Sequence, residues 1–219
     1  MSDDPETARQ IAELARDTRP LLVLDVDDVL IEFVQPLIRY LDSQDVELKL
    51  DTFRLHGNAR ERKTGAVLEN ERVSALIDAF FAAQTDWQPS VADAVETIAD
   101  LSQHAEIVML TAMAHRHRAT RRRHLDALGF PYPLVTTEAA KGPAIAQLRG
   151  ASERPVAFVD DLPRNLQSVR DAVADAHLFH LMAMPSLRAL LPALPDGIHV
   201  VDEWKVAGPM IARALGFRP

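Results

Sequence analysis

The chain has no cysteine, which excludes disulfides and thiolate metal sites and suits a reducing compartment. It lacks a long apolar run as well. Nothing approaches the ~18 uninterrupted apolar residues of a membrane span, and the nearest stretch, residues 178–195, is broken by His180, Arg188 and three prolines. The first residues, MSDDPETARQ, are acidic and polar where a secretory leader is basic and then apolar, so no export and a cytoplasmic location are expected. Surplus positive charge is missing too: the formal net charge is −8, which argues against general nucleic-acid binding. What remains is an ordinary globular mixture of 219 residues, 47% hydrophobic and 26% charged, enough for one substantial core with room for an inserted subdomain.

The informative stretch is LLVLDVDDVL, residues 21–30. The apolar run Leu21 to Leu24 reads as a strand buried on both faces, and three carboxylates stand where it leaves the sheet. If the chain stays extended there, Asp25 and Asp27 share a face, about 6.6 Å apart along the strand, and Asp28 points the other way. Like charges that close predict a divalent metal or a shared proton between them. A solvated turn fits poorly, because Val26, Val29, Leu30 and Ile31 keep the segment apolar. A calcium loop fails as well, since Val29 stands where a ligand is needed and no Gly follows.

Residues 3–17 read as an amphipathic helix capped by Asp3 or Asp4, with Ile11, Leu14 and Ala15 as its stripe. After Leu30 comes a helix with Phe33, Leu37, Ile38 and Leu41 on one side. A hairpin-like segment follows, in which Val46, Leu48 and Leu50 alternate with polar residues, and then a further helix to about residue 84. Residues 32–87 therefore form a compact insertion, as a lid or cap would, and residues 1–31 with 88–219 form the body. Phe33 and Trp87 flank the two connections as hinge or core aromatics. From residue 88, helices alternate with the strand-like runs EIVMLT, YPLVTT, PVAFVDD and AHLFHL, which implies an α/β fold: a parallel, Rossmann-like sheet covered by helices on both faces, three layers in all. Pro185 to Pro195 reads as a connection, and the tail as a helix packed through Trp204, Val206, Met210, Ile211 and Leu215.

In such sheets ligands bind at the carboxyl ends of the strands. There the sequence sets Asp25 and Asp27, then Thr111, the segment before Lys141, and Asp160 with Asp161. Acid, hydroxyl, cation and acid at four strand ends make one site, since helix capping explains a Thr or an Asp singly but not a Lys among them. These residues resemble the four motifs of the haloacid dehalogenase-like (HAD) hydrolases, matched in order over nearly the whole chain: VLDVDDV, IVMLT, AAKGPAI and VAFVDDLPRN. Family members often have Gly where this chain has Asp28. The resemblance implies that Asp25 is a nucleophile and Asp27 a general acid/base. It also implies that Mg2+ is held by Asp25, Asp27 (through its backbone carbonyl) and Asp160, with Asp161 and Asn165 in support.

Phosphoryl transfer calls for these residue types independently: an oxygen nucleophile, neutralisation of the phosphate and a proton for the leaving alkoxide. Thr111 would hold phosphate oxygens, and Lys141 would counter the charge on nucleophile and phosphate. The acid at position 27 favours phosphate esters over halides, which leave without a proton. A Schiff-base lysine lacks support, Lys49 and Lys63 being the only lysines of the insertion. The expected function is a magnesium-dependent hydrolase of a small soluble phosphomonoester, a nucleotide among the candidates. The alternatives are a non-catalytic phospho-ligand or partner-binding module and a phosphotransferase or phosphomutase. The basic run at residues 114–124 reads first as a solvated helix face, and only His115 and Arg116, just after Thr111, are substrate candidates. In the insertion, His56, Asn58, Arg60 and Arg62 gather at a turn that either faces the site or is explained by turn chemistry alone.

Overall fold

The computed structural model describes residues 4–15, 17–52 and 54–218. The first helix, α1 (Pro5–Ala12), is shorter than the sequence pattern predicts. Asp4 caps it by accepting from Glu6 N and Thr7 N, both at 3.1 Å; Asp3, the other candidate cap, lies outside the described residues. Ile11 is buried as expected, but Ala15 is exposed, and the polar Thr7 and Gln10 are buried in its place. Both serve the edge of the sheet. Thr7 Oγ1 donates to Thr136 O at 2.8 Å and Gln10 Oε1 accepts from Thr136 N at 2.9 Å, so α1 covers backbone groups that an edge strand would otherwise leave open.

Strand β1 (Leu21–Leu24) is buried along its whole length, each Leu or Val contributing roughly 1.5–3 kcal/mol through burial. It is followed by α2 (Val34–Ser43), β2 (Val46–Leu48), β3 (Ala59–Glu61), α3 (Asn70–Ala82) and the short α4 (Gln84–Trp87). β2 and β3 pair antiparallel, and with the three helices they enclose a core of their own that includes Leu37, Tyr40, Val46, Leu48 and Phe80. The aromatics at the connections belong to it: Phe33 stacks on Phe81 at 5.8 Å and Trp87 meets Tyr40 edge-on at 5.5 Å. The chain then alternates: α5 (Ala94–Ser102), β4 (Glu106–Thr111), α6 (Arg118–Leu128), β5 (Leu134–Thr136), α7 (Lys141–Arg149), β6 (Val156–Asp160), α8 (Pro163–Ala172) and β7 (His177–His180). It closes with β8 (His199–Val200) and α9 (Trp204–Ala214).

Six strands form one sheet in the order β5-β4-β1-β6-β7-β8, every pairing parallel. Alternate residues of β1 feed opposite faces. Leu22 and Leu24 join Ile98, Leu125, Trp204 and Ile211, while Leu21 and Val23 join Ile11, Ile145, Leu166 and Val169. The strand order reverses at β1, where Leu24 stands opposite both Met109 of β4 and Val159 of β6, so the crevice expected of such sheets opens there. Two details differ from the sequence reading. Val206 is 52% exposed, because the buried residues 204, 207, 208, 211 and 212 keep a 3.6-residue period that excludes it. The connection after β7 holds a 3-10 turn, Pro185–Leu190, and leads to the unforeseen β8, both of whose residues are exposed. No helix among the described residues is long and apolar enough to cross a membrane.

Candidate active site

Asp25, Lys141, Asp160 and Asp161 meet where β1 and β6 end side by side. Asp25 continues β1, its backbone N–H donating to Val159 O at 2.9 Å. Its Oδ1 accepts from Val26 N at 2.7 Å and lies 2.7 Å from Lys141 Nζ. Lys141, at the start of α7 and 1% exposed, also reaches Asp160 Oδ2 at 2.7 Å. Asp160 accepts in addition from Asn165 Nδ2, at 3.0 and 3.1 Å, and from Leu162 N at 2.8 Å. One carboxylate oxygen each from Asp25, Asp160 and Asp161 lies within 4.8 Å of the others.

Three buried carboxylates thus face one ammonium. Burial pushes the Asp25 carboxyl up to about 7 despite the opposing pull of Lys141, and the Asp160 charge adds to the rise. Burial and then the charges of Asp160 and Asp25 drive Asp161 well above the usual range. Burial alone would lower Lys141, but Asp160 and Asp25 outweigh it and hold the ammonium charged. Surplus negative charge of this kind is relieved by a cation. Three hard carboxylate oxygens suit magnesium and not a thiophilic metal, so the residues present fit the ion.

Asp25 and Asp27, expected to share a cation or a proton, each have an ion pair of their own, Asp25 with Lys141 and Asp27 with Arg121. The chain turns after Asp27, which itself forms a bridge with Ile31: Val26 O accepts from Leu30 N at 2.9 Å and Ile31 N at 3.0 Å, and Asp28 adopts a left-handed conformation with φ of 57°. Asp27 turns to a cation of its own, Arg121, whose NH1 lies 2.8 Å from Oδ1; Gln88 Nε2 donates to the same oxygen at 3.0 Å. The Asp28 carboxyl accepts from Phe33 N at 2.8 Å and Val34 N at 3.2 Å, which ties the start of α2 to this turn. The left-handed backbone is one that glycine adopts freely and aspartate tolerates. That accounts for both residue types at this position of the motif.

The comparisons with known proteins agree with this architecture. No family model and no curated protein matches the chain, but solved structures do. A HAD family hydrolase from Deinococcus radiodurans, with bound phosphate and sodium, superposes with a TM-score of 0.58 at 16% identity, over 90% of this chain and 97% of its own. The fold is that of the HAD-like hydrolases. A HAD-like family hydrolase from Streptococcus pneumoniae gives 0.59 at 12% identity, covering 87% of this chain and 97% of that one. A Bacillus subtilis HAD hydrolase bound to magnesium gives 0.58 at 12% identity, covering 92% of this chain and the whole of that one.

On this HAD-like fold the remaining candidates divide. Thr111 is fully buried at the end of β4, and its Oγ1 has no hydrogen-bond partner among the described residues. Beside the carboxylates, a cavity of about 520 Å3 is bounded by Met113, Thr137, Ala139, Asn165 and Ser168; Asn165 is its link to Asp160. His115 and Arg116 are engaged elsewhere. The His115 ring is bonded to Thr136 Oγ1 at 2.7 Å and to Asp4 at 3.0 Å, and Arg116 Nε donates to Asp78 of α3 at 3.0 Å. Between residues 32 and 87, Asn58 is bonded to Thr52 and Arg54, Arg60 to Gly65 and His56 to Ser74, so these bonds all stay within that segment. Arg121 was missed by sequence reasoning. Its signal was its phase: His117, Arg121, His124 and Leu125 recur on the buried face of the helix, and a cation on such a face is bound to have a partner.

Lys141 owes its place to its neighbour. A Cβ on Gly142 would stand 2.0 Å from Ser168 O of α8, so only glycine lets α7 approach that closely. Gly142→Ala is expected to lower stability by about 3 kcal/mol, the upper end for overpacking, and to move Lys141 with α7. Chemical denaturation checks this, and an unchanged midpoint would mean that the helices have slack.

Proposed function

We propose that the chain is a magnesium-dependent phosphohydrolase of the cytoplasm that cleaves a small phosphomonoester through an aspartyl-phosphate. The observation that carries this reading is the single buried Lys141 ammonium 2.7 Å from both Asp25 and Asp160, at the ends of neighbouring strands. Asp25 is the nucleophile. Both of its donors, Val26 N and Lys141 Nζ, act on Oδ1, which leaves Oδ2 for in-line attack on phosphorus. Asp27 donates a proton to the departing alkoxide and then takes one from the water that cleaves the acyl-phosphate. The partnerless Thr111 hydroxyl supports its reading as a donor to a phosphate oxygen, and the charge of Lys141 offsets that of nucleophile and phosphate together. Asp25, Asp160 and Asp161, with the Asp27 backbone carbonyl, would hold magnesium, which when bound supplies charge neutralisation and polarises the phosphoryl oxygens.

Residues 32–87 act as the cap in this reading, covering the reacting centre and choosing the alcohol. The test is phosphate release from a panel of phosphomonoesters, nucleotides included, with magnesium and with chelator. Metal-dependent turnover of one class is the expected result. A folded protein that binds magnesium yet turns over nothing would replace this reading with a binding module or a phosphotransferase.

A further inference from the structure

We propose that Arg121 and Gln88 are positioning residues for Asp27: together they fix its Oδ1 and present its Oδ2 to the departing alcohol. The inference rests on the reading of Asp27 as the general acid and goes one step beyond it. Two N–H donors converge on Oδ1, from Arg121 at 2.8 Å and from Gln88 at 3.0 Å, and among the described residues nothing donates to Oδ2. The Asp27 side chain is 18% exposed while that of Arg121 is fully buried, so the pair opens to solvent on the side of the acid.

Neither donor has freedom to leave. A buried guanidinium is costly without a counter-charge, and among the described residues Asp27 is the only ionic partner of Arg121. Its guanidinium also lies over the Phe81 ring, 5.4 Å from the centroid. The Gln88 side-chain amide donates to Glu32 O at 3.0 Å as well as to Asp27, and its backbone carbonyl accepts from His124 Nε2 at 2.8 Å. Glu32 and Gln88 stand on the two connections of the insertion, which run side by side, Glu32 N donating to Pro89 O at 2.9 Å and Val91 N to Leu30 O at 2.8 Å. The orientation of Asp27 is therefore built into these connections.

In the first half-reaction Asp25 Oδ2 forms a bond to phosphorus and the ester P–O bond breaks. Its electron pair stays on the alcohol oxygen, which takes the proton from Asp27 Oδ2 and leaves a carboxylate facing Arg121. A misplaced acid slows this step for a poor leaving group, but an aryl oxide departs with little help from a proton.

The test compares kcat/KM, which reports the steps up to alcohol departure, for an alkyl phosphate accepted by the wild-type protein and for p-nitrophenyl phosphate. Arg121→Met is expected to lower the alkyl value about 50-fold and the aryl value less than about 5-fold, the scale of general-acid and placement effects. Arg121→Lys should recover part of the alkyl loss. Equal losses on both substrates overturn the positioning role. Should Arg121→Met not fold, Gln88→Met, which keeps the ion pair, carries the same comparison with an expected ratio of about 10 to 3, and equal losses again overturn the proposal. A wild-type protein inactive on every phosphomonoester is a different outcome: it overturns the phosphohydrolase reading beneath.

Discussion

Asp25→Asn is expected to reduce phosphate release on the order of 10⁴-fold or more, the scale on which enzymes lose rate when a covalent nucleophile is removed, while the protein stays folded. The amide oxygen can still accept from Val26 N and Lys141 Nζ, the two groups that now meet Asp25 Oδ1 at 2.7 Å. What disappears is the oxygen able to form the acyl-phosphate. The same substitution removes one of three buried carboxylates, the one whose pKa burial pushes up to about 7, so the thermal midpoint should hold or rise. Phosphate release and a thermal melt on one sample check both halves. A well-folded variant that still releases phosphate at more than a small fraction of the wild-type rate would sink the nucleophile assignment.

Legibility in the sequence followed physical type. β1 could be read because a parallel strand buried on both faces writes itself as an unbroken apolar run, and the strand ends could then be read as places where chemistry gathers. The parallel sheet and the meeting of Asp25, Lys141 and Asp160 rest on such local signals. What stayed hidden depends on partners distant in the chain. Nothing local tells Arg121 from Arg123 in a basic run, yet one is fully buried against Asp27 and the other donates to Thr120 on the surface. Thr7 and Gln10 look like the polar side of a helix until the open edge of β5 gives them something to bond. β8 has two exposed residues and no apolar signature to read. The extended path assumed through Asp27 ends at Asp28, whose left-handed backbone turns the chain, and nothing local announced that Asp27 has Arg121 as a cation of its own.

Lys141→Met removes the one cation among three carboxylates, and its effect should reach stability as well as turnover. Breaking a buried ion pair by deleting one partner costs about 3–5 kcal/mol, and here two contacts of 2.7 Å are lost together. Asp25 and Asp161, already raised by burial, are expected to rise further in pKa. A group whose folded-state value lies above its unfolded one stabilises at low pH and loses that contribution as pH rises through the folded value. The variant should therefore be most stable in mild acid and weaken toward and beyond neutrality more steeply than the wild type. Magnesium supplies the missing charge from outside, and a ligand that binds only the folded state raises its stability. Excess magnesium should accordingly raise the thermal midpoint of Lys141→Met more than that of the wild type, and chelator should abolish the difference in gain. The readout is independent of activity, so it probes the carboxylate cluster whether or not the substrate is known. Equal midpoints for variant and wild type in chelator at neutral pH would show that Lys141 does not hold these charges together. A midpoint indifferent to magnesium in both proteins would remove the ion from Asp25, Asp160 and Asp161.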